Sequence, residues 1–330
     1  MTQSAKQRLL EAVANRYAVA ITPRMQDQVD PRLKEDPIAA QFLPDARELL
    51  ETPDELDDPI GDNSHSPVKG IVHRYPDRAL LMPVKVCPVY CRFCFRRETV
   101  GDVEHALLSD EELDAAFAYL RGHGEIWEVI LSGGDPLILS PRRLRKILRA
   151  LRRIDHVRVL RIHTRVPLVA PERISEELAS VLRDASPLFV VLHSNHPNEF
   201  TDDGRDACAR LVDAGIPMLS QSVLLRGIND DVNTLDKLLR QFAENRIKPY
   251  YLHHADKAPG TSHFRTTIVE GQELIAALRG SLSGICQPTY VLDIPGGHGK
   301  SPIGPTYLER EDDGSLGVKD YAGNVRKYQE

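Results

Sequence analysis

The chain has 330 residues, 42% hydrophobic and 27% charged, enough apolar mass for one large core or two ordinary ones and too much for global disorder. Lys and Arg number 42 against 48 Asp and Glu, a formal charge of -6, which argues against a protein that coats nucleic acid or an anionic membrane. No apolar run is long enough to cross a bilayer, and the opening MTQSAKQRLLEAVANRY lacks the apolar core and cleavage site of a signal peptide, so the sequence reads as cytoplasmic.

Residues 1–60 read as an N-terminal helical region, with apolar positions at helical spacing in SAKQRLLEAVANRYAV and a proline-broken, acid-rich stretch after it. Residues 61–285 alternate short apolar runs with polar, helix-like segments. The strand candidates are ALLMPVKV, EIWEVILSGG, VRVLRIHTR, LFVVLHSNH, IPMLSQSVLL and IKPYYLHHA. Between them, EELDAAFAYLRGHG, PRRLRKILRALRRI, SEELASVLRDA, TDDGRDACARLVDAG and DVNTLDKLLRQFAENR read as helices. Six such units predict an α/β fold with a parallel sheet, either open or a partial barrel. Polar clusters (SGGD, HTR, HSNHPNE, QS, HHAD) fall where the strands end, the edge at which parallel α/β folds bind ligands. Residues 286–330 form a last segment: a short strand, a Gly/Pro loop and a polar tail.

Three of the five cysteines, Cys87, Cys91 and Cys94, stand in a C-x3-C-x2-C array just after the first strand. Thiolates suit zinc or iron–sulfur clusters, and the spacing offers three ligands with no fourth nearby. Three thiolates fit a four-iron cluster that keeps one iron open; a zinc site completed by a distant His is the competing reading. Cys208 and Cys286 read as buried small hydrophobes. Lys300, in PGGHGKSP, is not on a P-loop, since the G-x4-G-K-[ST] spacing is absent. It is open to three readings: a solvated lysine, a phosphate ligand, or a lysine that forms a Schiff base with pyridoxal phosphate.

CPVYCRFCFRR, with Phe93 before the third Cys, resembles the radical SAM superfamily, and SGGD (Ser132, Gly133, Gly134, Asp135) resembles that family's strand-end motif at the methionine amino group. Read alone, SGGD is a turn with an N-cap. Over residues 58–305 the chain further resembles the lysine 2,3-aminomutase family, through HSPVKGIVHRYPDRALL, LSGGDPL, RIHTRVPLVAPERI, HSNHPNE, QSVLLRGIND, SHFRT and YVLDIPGGHGK. The resemblance implies a partial (β/α)6 barrel and an isomerase that interconverts L-lysine and β-lysine with a [4Fe-4S] cluster, S-adenosylmethionine and pyridoxal phosphate. It makes Lys300 the Schiff-base lysine and places Arg74, Tyr75 and Arg78 near the pyridoxal phosphate. It sets Arg96 on the substrate α-carboxylate, Asp256 and Asp293 on the distal ammonium, and His193 and Gln221 on the S-adenosylmethionine side. Paired carboxylates are what a cationic tail needs in a water-poor pocket.

The resemblance also implies a flavodoxin- or ferredoxin-type reductant and leaves a homo-oligomer open. His298 interrupts a loop that is more uniformly glycine in typical members, and the C-terminal cysteines that some longer relatives use for an intersubunit zinc are missing. CRFCFRR, RIHTR and YYLHHADKAPG are similar to shorter relatives that make β-lysine for elongation factor P. Further alternatives are a radical SAM enzyme of another amino acid, a zinc-stabilised binding module and a nucleic-acid-modifying enzyme; acidic balance counts against the last.

Overall fold

The computed structural model describes residues 3–102 and 104–330. It sets nine strands in one sheet: β1 (Ile71–Tyr75), β2 (Arg78–Val84), β3 (Glu128–Gly133), β4 (Val159–Thr164), β5 (Leu188–His193), β6 (Met218–Leu224), β7 (Ile247–His254), β8 (Thr289–Asp293) and β9 (Lys300–Pro302). They lie side by side in sequence order; β2 to β8 run parallel, and β1 and β9 turn back antiparallel at the two ends. The six β/α units read from the sequence are β2 to β7 with their helices, and β8 extends the same sheet.

Each crossover carries a helix whose start is written in the sequence. Ser109, Ser140, Ser175, Thr201, Asp231 and Thr267 accept the backbone N–H three residues on, capping Asp110–Gly122, Pro141–Arg152, Glu176–Arg183, Asp202–Asp213, Val232–Glu244 and Ile268–Leu278. A cap of this kind contributes about 1 kcal/mol, because it satisfies an N–H that the helix leaves orphaned. The helices bury one stripe each against the sheet, as Leu144, Ile147, Leu148 and Leu151 do in Pro141–Arg152.

The opposite face of the sheet is less covered and carries polar side chains among apolar ones. In β4, Leu160, Ile162 and Thr164 are buried under the helices while Arg161 and His163 are less covered, and β6 alternates in the same way around Gln221. Parallel strands covered on both faces by helices read as continuous apolar runs. Alternation here marks an inner lumen built to meet polar groups, as a curled, incomplete barrel provides. β1 and β9 do not pair, yet the Lys300 backbone N–H donates to the Tyr75 hydroxyl at 2.6 Å, so side chains bridge the gap between the sheet's ends.

The N-terminal region crosses the mouth formed by the carboxyl ends of the strands. After the helix Gln3–Arg16 and the short turns Pro23–Gln26, Pro37–Phe42 and Ala46–Leu49, it ties down one loop after another. Ala20 O accepts from Tyr90 N at 3.0 Å and Gln41 O from Arg92 N at 2.8 Å. Glu48, wholly buried, accepts from Arg92 Nε at 3.0 Å and Nη2 at 2.5 Å and also pairs with Arg97. Leu56 N donates to Lys257 O at 2.8 Å, and Glu55 accepts from Arg265 at 2.9 Å and from Gly260 N at 2.9 Å.

The polar tail is not featureless. β10 (Leu308–Arg310), β11 (Leu316–Lys319) and β12 (Val325–Tyr328) form an antiparallel meander whose turns use Gly314 and Gly323 at φ +82° and +84°. Among the described residues, no helix is long and apolar enough to cross a membrane.

Glu48→Ala leaves two arginines buried without their counter-charge. We expect a loss of about 3–5 kcal/mol of stability, read as a lower urea midpoint at an unchanged slope.

Candidate active site at the barrel mouth

β2 ends at Val84, and the loop that follows carries Cys87, Cys91 and Cys94, all free thiols at intermediate burial. Burial, joined by the nearby Cys91, pushes the Cys94 thiol up to about 11. Burial also drives Cys87 well above the usual range, helped by Asp135 and the other two sulfurs. Thiols that oppose one another's ionisation are a poor arrangement for bare thiolates and a good one for a cationic metal group, which lowers all three together. Among the described residues, no three His, Cys, Asp or Glu side chains converge as ligands of a single ion. A multi-iron cluster asks one thiolate for each of three irons and needs no such convergence, so the donor set fits the cluster expected from the sequence.

Arg165, at the end of β4, is buried and donates from Nη1 to Cys91 Sγ at 2.9 Å. Its Nη2 reaches Glu199 at 2.6 Å and Gln41 at 2.8 Å. Burial works against its charge, but Cys91 and Glu199 outweigh it and hold the guanidinium protonated. Glu199 also accepts the N–H groups of Asn195 and His196 at 2.7 and 2.9 Å, fixing the turn after β5.

Ser132, Gly133, Gly134 and Asp135 lie at the end of β3, facing the cysteine loop. Gly133 has φ +104°, and a Cβ there would stand 2.5 Å from Val84 O; one on Gly134 would stand 2.6 Å from Val86 N. The glycines thus let this strand end press against the segment entering the cysteine loop, where Gly134 N donates to Val84 O at 2.7 Å and Asp135 N to Val86 O at 3.0 Å. The Asp135 carboxylate, in the motif matched to the methionine amino group, is also held by the protein around it. It accepts from Leu137 N at 3.0 Å, Thr164 Oγ1 at 2.7 Å and Arg165 N at 2.7 Å, which leaves little accepting capacity.

Across the mouth, the β8–β9 register sets Asp293 opposite Lys300, and Lys300 Nζ lies 2.5 Å from Asp293 Oδ1. His253 Nδ1 lies 3.1 Å from the other oxygen. Burial would raise Asp293, but the His253 hydrogen bond and the Lys300 charge prevail and hold it well below the usual carboxylate range. Asp256 goes the other way: burial, then the Asp293 charge, push it up to about 7. The Lys300 loop takes its shape from Gly296, Gly297 and Gly299 at φ +81°, +82° and +88°. His298 is exposed and keeps a negative φ, so its side chain does not disturb the loop.

HRYPDR is the β1–β2 hairpin. Arg74 reaches Asp62 at 2.7 Å and Asp293 at 3.9 Å; Tyr75 meets Lys300; Arg78 stacks over the Tyr75 ring at 3.7 Å and pairs with Asp77. Arg96 does not stand free: its Nε and Nη2 bond one oxygen of Asp62 at 2.9 and 2.7 Å. His193 and Gln221 face each other across the β5–β6 ladder, and the Phe93 ring lies 5.8 Å from that of His193. Burial keeps His193 and His163 neutral, and each leaves a buried Nε2 without a partner among the described residues. A lumen with unspent donors, a part-exposed lysine and glycines drawn tight around it fits a cofactor held from Lys300. Glu48, Asp62, Arg165, Glu199 and His253 escape the sequence reading. Glu199 and Arg165 lie in polar strand-end clusters, which are signals of place without role, and Glu48 and Asp62 sit unmarked in an acid-rich stretch.

The family model of the radical SAM superfamily matches residues 81–239, and that of lysine-2,3-aminomutase matches residues 275–330. The chain is 41% identical over 312 residues to the L-lysine 2,3-aminomutase of Clostridium subterminale, covering 94% of this chain and 75% of that one. It is 35% identical over 288 residues to the L-lysine 2,3-aminomutase of Escherichia coli (87% and 83% covered). It is 34% identical over 330 residues to the glutamate 2,3-aminomutase of Clostridioides difficile (100% and 78% covered).

Gly133→Ala combines a disfavoured φ with a clash against Val84 O. It should lower stability by more than about 1 kcal/mol in urea and speed alkylation of Cys87 in metal-free protein; an unchanged alkylation rate would show that β3 does not brace the cysteine loop.

Proposed function

The chain belongs to the lysine 2,3-aminomutase family of radical SAM enzymes, and on that premise we propose how its residues divide the work of interconverting L-lysine and β-lysine. The enzyme is an isomerase that uses an iron–sulfur cluster, S-adenosylmethionine and pyridoxal phosphate. When bound, these groups supply a carbon radical able to take an unactivated Cβ hydrogen and a conjugated ring that lets nitrogen pass between adjacent carbons. The protein supplies placement and exclusion of water.

Cys87, Cys91 and Cys94 would hold three irons, with Arg165 donating toward Cys91 to stabilise negative charge on sulfur. Ser132, Gly133, Gly134, Asp135, His193 and Gln221 would face S-adenosylmethionine, with the Asp135 carboxylate also fixing the strand end. Lys300 would carry pyridoxal phosphate, with Arg74, Tyr75 and Arg78 around it. Arg96 would take the α-carboxylate of lysine, and Asp293 and Asp256 the distal ammonium.

One observation carries the choice of lysine: a buried carboxylate, Asp293, pairs with the Lys300 ammonium, and a second, half-buried one, Asp256, lies near enough to feel the charges of both. Substrate would put its own ammonium where that of Lys300 now lies, with His253 holding the second Asp293 oxygen in place. A glutamate side chain would bring a third carboxylate into the same buried space, at a large electrostatic cost.

A one-electron donor of the flavodoxin or ferredoxin type would reduce the cluster, and a cytoplasmic setting suits five unpaired cysteines. Functionally, residues 1–60 would cap the mouth, 61–285 would house the radical chemistry and 286–330 would deliver Lys300. Assembly as a homo-oligomer is compatible with this arrangement.

Anaerobically reconstituted protein should convert L-lysine to β-lysine, resolved chromatographically, and leave glutamate unchanged. Asp293→Ala should abolish most lysine turnover; full activity in that variant, or turnover of glutamate instead, removes this reading. Acidity adds a second expectation. Asp256, with its pKa near 7, is neutral below that pH and charged above it, whereas the lysine ammonium stays protonated throughout. The KM for lysine should therefore fall several-fold from about pH 6 to pH 8, and Asp256→Asn should flatten the profile.

A further inference from the structure

We propose that Asp62 is a positioning residue that aims Arg96 at the substrate's carboxylate and sets that arm in register with the Lys300 loop, an inference that rests on the lysine reading above. Asp62 accepts hydrogen bonds from two arginines, Arg96 Nε at 2.9 Å on one oxygen and Arg74 Nη2 at 2.7 Å on the other, and Arg96 Nη2 lies 2.7 Å from the first oxygen as an ion pair. The side chains are only 13%, 14% and 9% exposed for Asp62, Arg96 and Arg74, so this is no loose surface pairing.

The turn that bears Asp62 is itself braced. The Asp58 carboxylate accepts the N–H groups of Asp62 and Asn63, both at 2.8 Å, and Ser66 Oγ donates to Asp62 O at 2.7 Å. A guanidinium is planar, so holding its Nε edge fixes where Nη1 points. An arginine aimed in advance loses less rotamer freedom when a carboxylate arrives.

The same turn touches the other half of the site. Gly61 has φ +71°, and a Cβ on it would stand 2.5 Å from Gly297 N; one on Gly297 would meet the His65 ring. Arg74, the second arm of Asp62, continues to Asp293 at 3.9 Å. One turn thus places the group for the carboxylate end of lysine beside the loop of Lys300, while Asp293, at the ammonium end, keeps closer partners of its own in His253 and Lys300. The rival account makes Asp62 an internal carboxylate occupying Arg96 until substrate displaces it. The two accounts differ in sign.

The test compares lysine with 1,5-diaminopentane, which is lysine without its carboxylate. Binding is titrated by calorimetry and by absorbance on protein loaded with pyridoxal phosphate but given no S-adenosylmethionine, so nothing turns over. Asp62→Asn should raise the Kd for lysine about tenfold or more and leave that of the diamine within about twofold, with Asp62→Glu falling between. An unchanged lysine Kd overturns the proposal, as does an equal shift for both ligands. A tighter lysine Kd overturns it in favour of the displaced-carboxylate account. If Asp62→Asn does not fold, Asp62→Glu carries the same comparison with the same criteria. Wild type and Arg96→Lys report on the underlying reading: should wild type bind both ligands alike and Arg96→Lys change nothing, the carboxylate site itself is wrong and the proposal falls with it.

Discussion

A carboxylate with no access to water, Glu48, sits between Arg92 and Arg97, and the geometry of the mouth follows from it. Both arginines belong to the loop of Cys87, Cys91 and Cys94, which has no helix or strand of its own to hold it. Such ion pairs add little net stability, because desolvation consumes most of the Coulombic gain. Their effect is to leave one arrangement affordable, since any shift strands a charge in a dry interior. Arg92 Nη1 also donates to Ala18 O at 2.8 Å, and Arg97 stacks on Tyr17 at 3.5 Å, so the cysteine loop is set against the N-terminal region from several directions.

The same device recurs around the mouth. Arg165 joins the thiol side to the turn after β5 through Glu199, and Asp62 joins Arg96 to Arg74 beside the Lys300 loop. The barrel supplies a rigid floor through helix caps and apolar stripes, while the loops above it are located by buried charge. The thiols and the Lys300 amine can face a single lumen because each side is anchored separately to a common N-terminal strap.

What the sequence made legible was local. The cysteine spacing, the capped helices, the polar strand ends and Lys300 on its glycine loop each sit within a few residues, where period and spacing can be read. The illegible part is non-local: Glu48 finds Arg92 across 44 positions, Arg96 finds Asp62 across 34, and His253 finds Asp293 across 40. A single sequence holds no trace of such pairs. The glycines of SGGD show a subtler limit. That backbone must approach something closely is readable, but what it approaches is not, and here it is the strand leading to Cys87. β10 to β12 were hidden because their strands are three or four residues long and mostly exposed, with no buried face to impose alternation.

On the proposed assignment, Asp256 and Asp293 would recognise an ammonium without holding two bare negative charges beforehand. Asp293 is kept ionised by His253 and Lys300, and its charge, added to burial, discourages ionisation of Asp256. Near neutral pH the empty pair thus carries between one and two charges, and it can reach two when a second cation enters. The cost of burying the second charge is deferred until the group that offsets it is present. A cationic side chain bound there would create part of its own binding site by driving a proton off Asp256, whereas an anionic one would hold that proton in place and meet only Asp293. In the proposed site, selectivity for charge would arise from this coupling, built on the two carboxylates and the strand register that sets Asp293 opposite Lys300.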